Sequence, residues 1–155
     1  MNRFFAQLST AVLLVLASIA AIAQDALPYK EGVVVVVTSV RTQPGKFNEY
    51  FHYLSGPYSQ MMEQAKAQGI VTDYGFYAAQ PKSPDDPDLY LVETYPNMAT
   101  FDTITDKMTA IGNKVFGSLK QADAADANRE EIRKILGTEM IRKLLPPVLD
   151  RKSVV

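Results

Sequence analysis

Few side chains in this sequence could move a proton. His52 is the single histidine, and Glu93 and Asp73 are acids on segments that otherwise read as apolar strands. An imidazole titrates near neutral pH and can act as a general base, and a carboxylate among apolar neighbours can do so once burial raises its pKa. His52 and Glu93 are therefore the candidate catalytic groups. His52 falls near the polar boundary of its helical wheel, beside Asn48 and Ser59, where a solvent-facing rim residue also belongs. Glu93 and Asp73 could equally be solvated at a strand edge. Other chemistries are excluded more firmly. The chain has no cysteine for a thiol nucleophile, no H-E-x-x-H pair for a metal and no glycine loop to cradle phosphate. No metal and no cofactor is expected.

Tyrosine is the richer resource, with eight in the chain. Each offers an apolar body with a polar tip, which suits a pocket between sheet and helices that takes a small apolar or aromatic molecule. The ligand-binding candidates are Tyr50, Tyr58, Tyr74, Tyr77 and Tyr90, together with Asp73. The competing role for such rings is core and interface packing.

The elements that would position these groups follow from hydrophobic period. Residues 32–41, "GVVVVVTSVR", are β-branched and predict a strand, ended by the turn at 42–45. Phe47, Tyr50, Phe51, Leu54, Tyr58, Met61, Met62 and Ala65 recur at three and four residues and draw one helical stripe. Gly56-Pro57 should kink or split that helix, and Gly69 should close it. Strands are predicted at 70–79 and 88–95, joined by a Pro/Asp-rich surface loop. Asn97 is the expected N-cap of a helix through Phe101, Met108, Ile111 and Val115 to about Phe116. Gly117 breaks it. Ser118 with Gln121 has the form of a capping box, starting a helix to Leu136 before Gly137 whose alanine-rich, charged middle should be solvated. Residues 138–145 fit a fourth strand or a helical turn.

This order is the βαββαβ pattern of a ferredoxin-like α+β domain at 32–145, with an extra C-terminal helix. Its helices would cover one face of an antiparallel sheet. The other face should alternate to polar residues if water were its partner, yet the valine strand is apolar on both sides. A second copy of the same sheet is the economical cover, so a homodimer with an isologous interface is expected.

Around this domain, residues 1–23 have the charged start, apolar run and A-x-A end of a cleavable signal peptide. Residues 24–31 read as a linker and 146–155 as a loose tail. The mature protein is thus expected in the periplasm or outside the cell, without membrane contact after cleavage. Loss of Arg3 moves the formal charge only from −1 to −2, so nucleic acid is not an expected partner.

"VVVVVTSVRTQPGKFNEY" followed by "LYLVETYPNMATFDTI" resembles the dimeric α/β barrel superfamily. In that superfamily a strand leads through a Pro-Gly turn into the first helix, and the third strand ends in an aromatic residue before a short helix. "GPYSQMMEQAKAQGIVTDYGFY" and "KVFGSLKQADAADANREEIRKILGTEMIRKLL" resemble a group of exported bacterial proteins of this fold with no assigned activity. The resemblance implies the fold and the pairing. It leaves two functions open: a small-molecule-binding or accessory protein, or a cofactor-free monooxygenase or isomerase of aromatic or polyketide-like substrates, in which His52 or Glu93 would remove a proton.

Overall fold

The computed structural model describes residues 27–147. The leader expected at 1–23 and all but two residues of the expected tail lie outside them. Four antiparallel strands and a set of helices build an α+β fold. In chain order these are β1 (Lys30–Thr42), α1 (Phe47–Tyr53), α2 (Ser59–Ala67), β2 (Asp73–Ala78), β3 (Leu89–Tyr95), α3 (Ile104–Phe116), α4 (Leu119–Arg129) and β4 (Arg133–Leu145). The sheet order is β2-β3-β1-β4. All but Lys30 of these elements falls within one compact unit, Glu31–Leu145.

The break expected at Gly56-Pro57 is present. Leu54–Tyr58 forms a π-helical turn between α1 and α2, in which Gly56 leaves helical geometry at φ −104°, ψ −106°. Pro57 has no N–H for the ladder, and the Ser59 hydroxyl donates to the Leu54 carbonyl at 2.7 Å. The wide turn brings Tyr58 over the sheet, where it packs against both core clusters.

Pairing of β1 with β3 sets Val34 opposite Tyr95, Val36 opposite Glu93, Thr38 opposite Leu91 and Val40 opposite Leu89. These residues share the helix-covered face. Val34 packs with Met62, Ala65 and Ile111, and Val40 with Tyr50 and Leu54. Val33, Val35 and Val37 point the other way, belong to neither cluster and are only partly buried. At the end of β1, Asp88 accepts from the Thr42 amide at 3.0 Å and from the Thr42 hydroxyl at 2.5 Å, tying β1 to the start of β3.

The valine strand is longer than expected, taking Lys30 and Glu31 from the expected linker and Thr42 from the expected turn, and three other boundaries differ more. Ile70 and Val71 are buried but precede β2, because their amides turn back to the Ala65 carbonyl at the end of α2. Asn97 is extended at the start of the Met98–Asp102 turn, yet its side chain makes no capping bond, and that turn is a 3-10 helix. The largest correction concerns the extra helix, which stops at Arg129 and not at Leu136. Glu130–Ile132 make a turn whose Ile132 carbonyl accepts from the Gln43 amide at 2.9 Å. That bond delivers the following residues to the free edge of β1, so Ile135, Leu136 and Gly137 enter β4, settling strand over helical turn for 138–145. The capping signature does hold at the other end, where the Ser118 hydroxyl accepts from the Gln121 amide at 3.2 Å.

Candidate functional site

Between the helix-covered face of the sheet and the ends of α1 and α4 lies a cleft of about 200 Å³. Its walls come from Thr38, Leu91 and Glu93 of the sheet, Tyr50 and Tyr53 of α1, Tyr58 after the kink, Asp126 and Arg129 of α4, and Arg133 and Ile135 of β4. The rings form a chain. Tyr50 stacks on Tyr53 at 6.1 Å, Tyr53 meets Tyr58 edge-on at 6.2 Å, and Tyr58 leans on Phe76 at 5.7 Å. The residue types are those of an amphipathic pocket.

Glu93 stands at the sheet end of the cleft. Tyr58 donates its hydroxyl to Oε1 at 2.5 Å, and Tyr95 donates to Oε2. Burial raises the pKa of both phenols above the ordinary tyrosine value, and the adjacent Glu93 charge raises it further. Both hydroxyls therefore stay protonated as donors to the carboxylate.

The opposite end is cationic. The Arg129 guanidinium lies 4.0 Å from the Tyr53 ring centroid, and the Arg133 guanidinium 6.0 Å from that of Tyr50. Burial raises the pKa of both tyrosines, with the two arginines opposing. Each arginine gives one Nη2 to the same oxygen of Asp126, at 2.7 Å from Arg129 and 3.0 Å from Arg133. The expectation that the charged stretch around 123–133 is simply solvated is thereby corrected, since these two side chains are only 14% and 9% exposed. The reversal of the chain at 130–132 turns both inward.

Of the residues expected from the sequence, Tyr50, Tyr58 and Glu93 meet in this cleft. Tyr74 joins the ring chain through Phe76, but its hydroxyl goes to Glu63 at 2.8 Å. Tyr77 and Tyr90 face each other across β2 and β3 on the opposite side of the sheet, where Tyr77 is exposed. Tyr90 borders a separate surface groove beside Pro81 and Pro87. Asp73 is exposed and lies 3.5 Å from Lys66. His52 is exposed on α1 and does not line the cleft. The residues not foreseen are Thr38, Tyr53, Tyr95, Asp126, Arg129 and Arg133. No helical stripe joins the charged three: Asp126 and Arg129 are three residues apart on α4, but Arg133 lies beyond the turn, at the start of β4.

Among the described residues no group of three or more His, Cys, Asp or Glu could hold a metal ion, and no helix is long and apolar enough to cross a membrane. No family model and no curated protein matches the chain. Among solved structures, it is similar to the crystal structure of HapK from Hahella chejuensis, with a TM-score of 0.45 and 9% identity over 71% of this chain and 91% of that one.

Proposed function

We propose that this chain is an exported small-molecule-binding protein, a ferredoxin-like domain that pairs as a homodimer and holds its ligand in the tyrosine-lined cleft. The observation that carries the reading is that one open cleft gathers three tyrosines, two arginines, Asp126 and Glu93, whose two oxygens each accept a tyrosine hydroxyl. A general base needs a free acceptor within reach of the proton it takes. Two hydroxyls fix the Glu93 carboxylate in place, though each of its oxygens keeps a further lone pair. His52 lies outside the cleft, so no second proton-transfer group stands beside Glu93, and the arrangement suits holding a molecule better than removing a proton from it.

The strand order β2-β3-β1-β4 supports the ferredoxin-like assignment. Pairing is supported by the face that carries Val33, Val35, Val37, Tyr77 and Val92, which no core cluster includes, and by β4, a long strand with exposed Ile135, Met140, Ile141 and Leu144. An apolar sheet face of this kind is usually an interface. Export is supported by the leader-like first 23 residues.

Native mass spectrometry of the mature protein purified from its exported compartment tests the reading. The expected spectrum is a dimer carrying a defined small-molecule mass that Tyr58→Ala loses. A dimer of bare mass to which no aromatic probe binds would overturn the binding function, and a monomer at high micromolar concentration would overturn the pairing.

A further inference from the structure

Resting on the binding role above, we infer that the ligand is an anion: a small aromatic carboxylate whose charged group lies against Arg129 and Arg133 and whose ring lies among Tyr50, Tyr53 and Tyr58. Arginines are rarely buried without a matching set of acceptors. Here two of them, at 14% and 9% side-chain exposure, share a single oxygen of one acid, and that acid, Asp126, is 58% exposed.

A guanidinium has five N–H donors. Nη1 of Arg129 and Nε of Arg133 are buried and have no acceptor among the described residues. Tyr53 holds the Arg129 guanidinium face through cation–π contact, and Tyr50 meets Arg133 through its ring face and its hydroxyl, yet Arg129 Nη1 and Arg133 Nε are left without an oxygen. Over the whole cleft the two arginines are balanced by Asp126 and Glu93, but at this end two guanidiniums face one carboxylate, a local surplus of one positive charge. That surplus matches a single carboxylate, which guanidinium planes bind bidentately.

The other end of the cleft gives the molecule its polarity. Glu93 is the remaining charged group there, and its two tyrosine partners direct their hydroxyls to it and not into the space. An anion is thus favoured at the arginine end and disfavoured at the carboxylate end. Between them lie Leu91, Ile135 and the tyrosine rings, a lining for an apolar body. At about 200 Å³ the cleft is smaller than the pockets that take drug-sized ligands, about 300–1,000 Å³, which limits that body to one ring.

Benzoate, benzamide and benzylamine probe this directly, because the three share a ring and differ in charge. Titration of the mature protein, read by calorimetry and by the NMR shifts of Tyr50, Tyr53 and Tyr58, should show benzoate binding about tenfold or more tightly than benzamide, with benzylamine weaker still. Arg129→Gln should bring benzoate down to the benzamide level. Asp126→Asn removes the competing exposed acid and should tighten benzoate, a gain that a purely structural arginine pair would not give. Should Arg129→Gln fail to fold, Arg133→Lys keeps the charge and loses the planar fork, and benzoate should weaken there too. Benzamide or benzylamine binding as well as benzoate, with the tyrosine shifts still present, would overturn the anion inference and leave the binding role intact. If none of the three shifts those tyrosines, both fall together.

Discussion

Tyr58 donates its hydroxyl to Glu93 at 2.5 Å, joining the turn after α1 to the middle of β3. The bond exists because Gly56 and Pro57 interrupt the helix just before Tyr58 and bring its ring over the sheet. A π-turn that re-aims a side chain in this way is a frequent feature of functional sites.

Tyr58→Phe should therefore destabilise the protein by about 1.5–3 kcal/mol, the range for a hydrogen bond to a charged group. The ring and its packing against Phe76 are kept, so the loss isolates the hydroxyl. Tyr77→Phe is the control: Tyr77 is exposed, and its hydroxyl should be worth no more than about 0.5 kcal/mol. Equilibrium urea unfolding of the three proteins gives the comparison, and equal effects of the two substitutions would show that the Glu93 contact stabilises nothing.

The same pair governs behaviour at high pH. Burial, followed by the Glu93 charge, holds the Tyr58 and Tyr95 phenols above the ordinary value, while in the unfolded chain both titrate near pH 10. Above that pH the unfolded state gives up protons that the folded state keeps, so stability present below about pH 10 is lost as the pH rises. Tyr58 should contribute a slope of about 1.4 kcal/mol per pH unit to the alkaline limb. Urea midpoints measured from pH 9 to 11 should fall more steeply for the wild type than for Tyr58→Phe, and parallel curves would remove Tyr58 from the cause.

Much of this arrangement is legible in the sequence, and the parts that are not share a cause. The alternation along 74–79 already sets Tyr74 and Phe76 on one face and Tyr77 on the other, so a pocket could never have gathered all five tyrosines named for it. The helical stripe through Tyr50, Leu54 and Tyr58 is present as read. The cationic end of the cleft is harder to see. Residues 121–131 are mostly alanine and charge, the composition of a solvated helix, and no residue of α4 is fully buried. Arg129 and Arg133 become inward-facing only because the chain reverses at 130–132 and adds β4 to β1. That event is a long-range pairing, to which local propensity is blind. The charge run hid the cationic end of the cleft because the turn that folds it inward is made by hydrogen bonding to Gln43, far away in sequence.

Placement of those arginines depends in turn on Gly117. It caps α3 in the left-handed region at φ +89°, and a Cβ there would meet the Gln121 Oε1 at 2.5 Å. The Gln121 side chain can swing away, so the cost of Gly117→Ala should come mainly from the backbone, about 1–2 kcal/mol. Gly137 has open space around its Cα and no positive φ, and Gly137→Ala should be tolerated within about 0.5 kcal/mol. Thermal unfolding of both variants is the measurement. Because α4 is entered through Gly117, its substitution should also weaken benzoate binding, which Gly137→Ala should leave unchanged.

The valine strand supplies the last prediction. Val34 and Val40 are fully buried beneath the helices, while Val35 and Val37 point to the face that no core cluster includes. If that face meets its own image across a two-fold axis, a single charged residue there is placed opposite its symmetry mate. Val35→Glu should then convert a dimer into a monomer in sedimentation velocity at about 50 µM, a concentration at which micromolar association is saturated. Because the side chain contributes little to the core of one chain, the monomer should keep its folded circular dichroism spectrum. A Val35→Glu protein that sediments as the wild type would mean that pairing does not use this face. An unfolded one would mean that Val35 is held within a single chain more firmly than its partial exposure shows, and Val37→Glu would then serve as the second test of the same face.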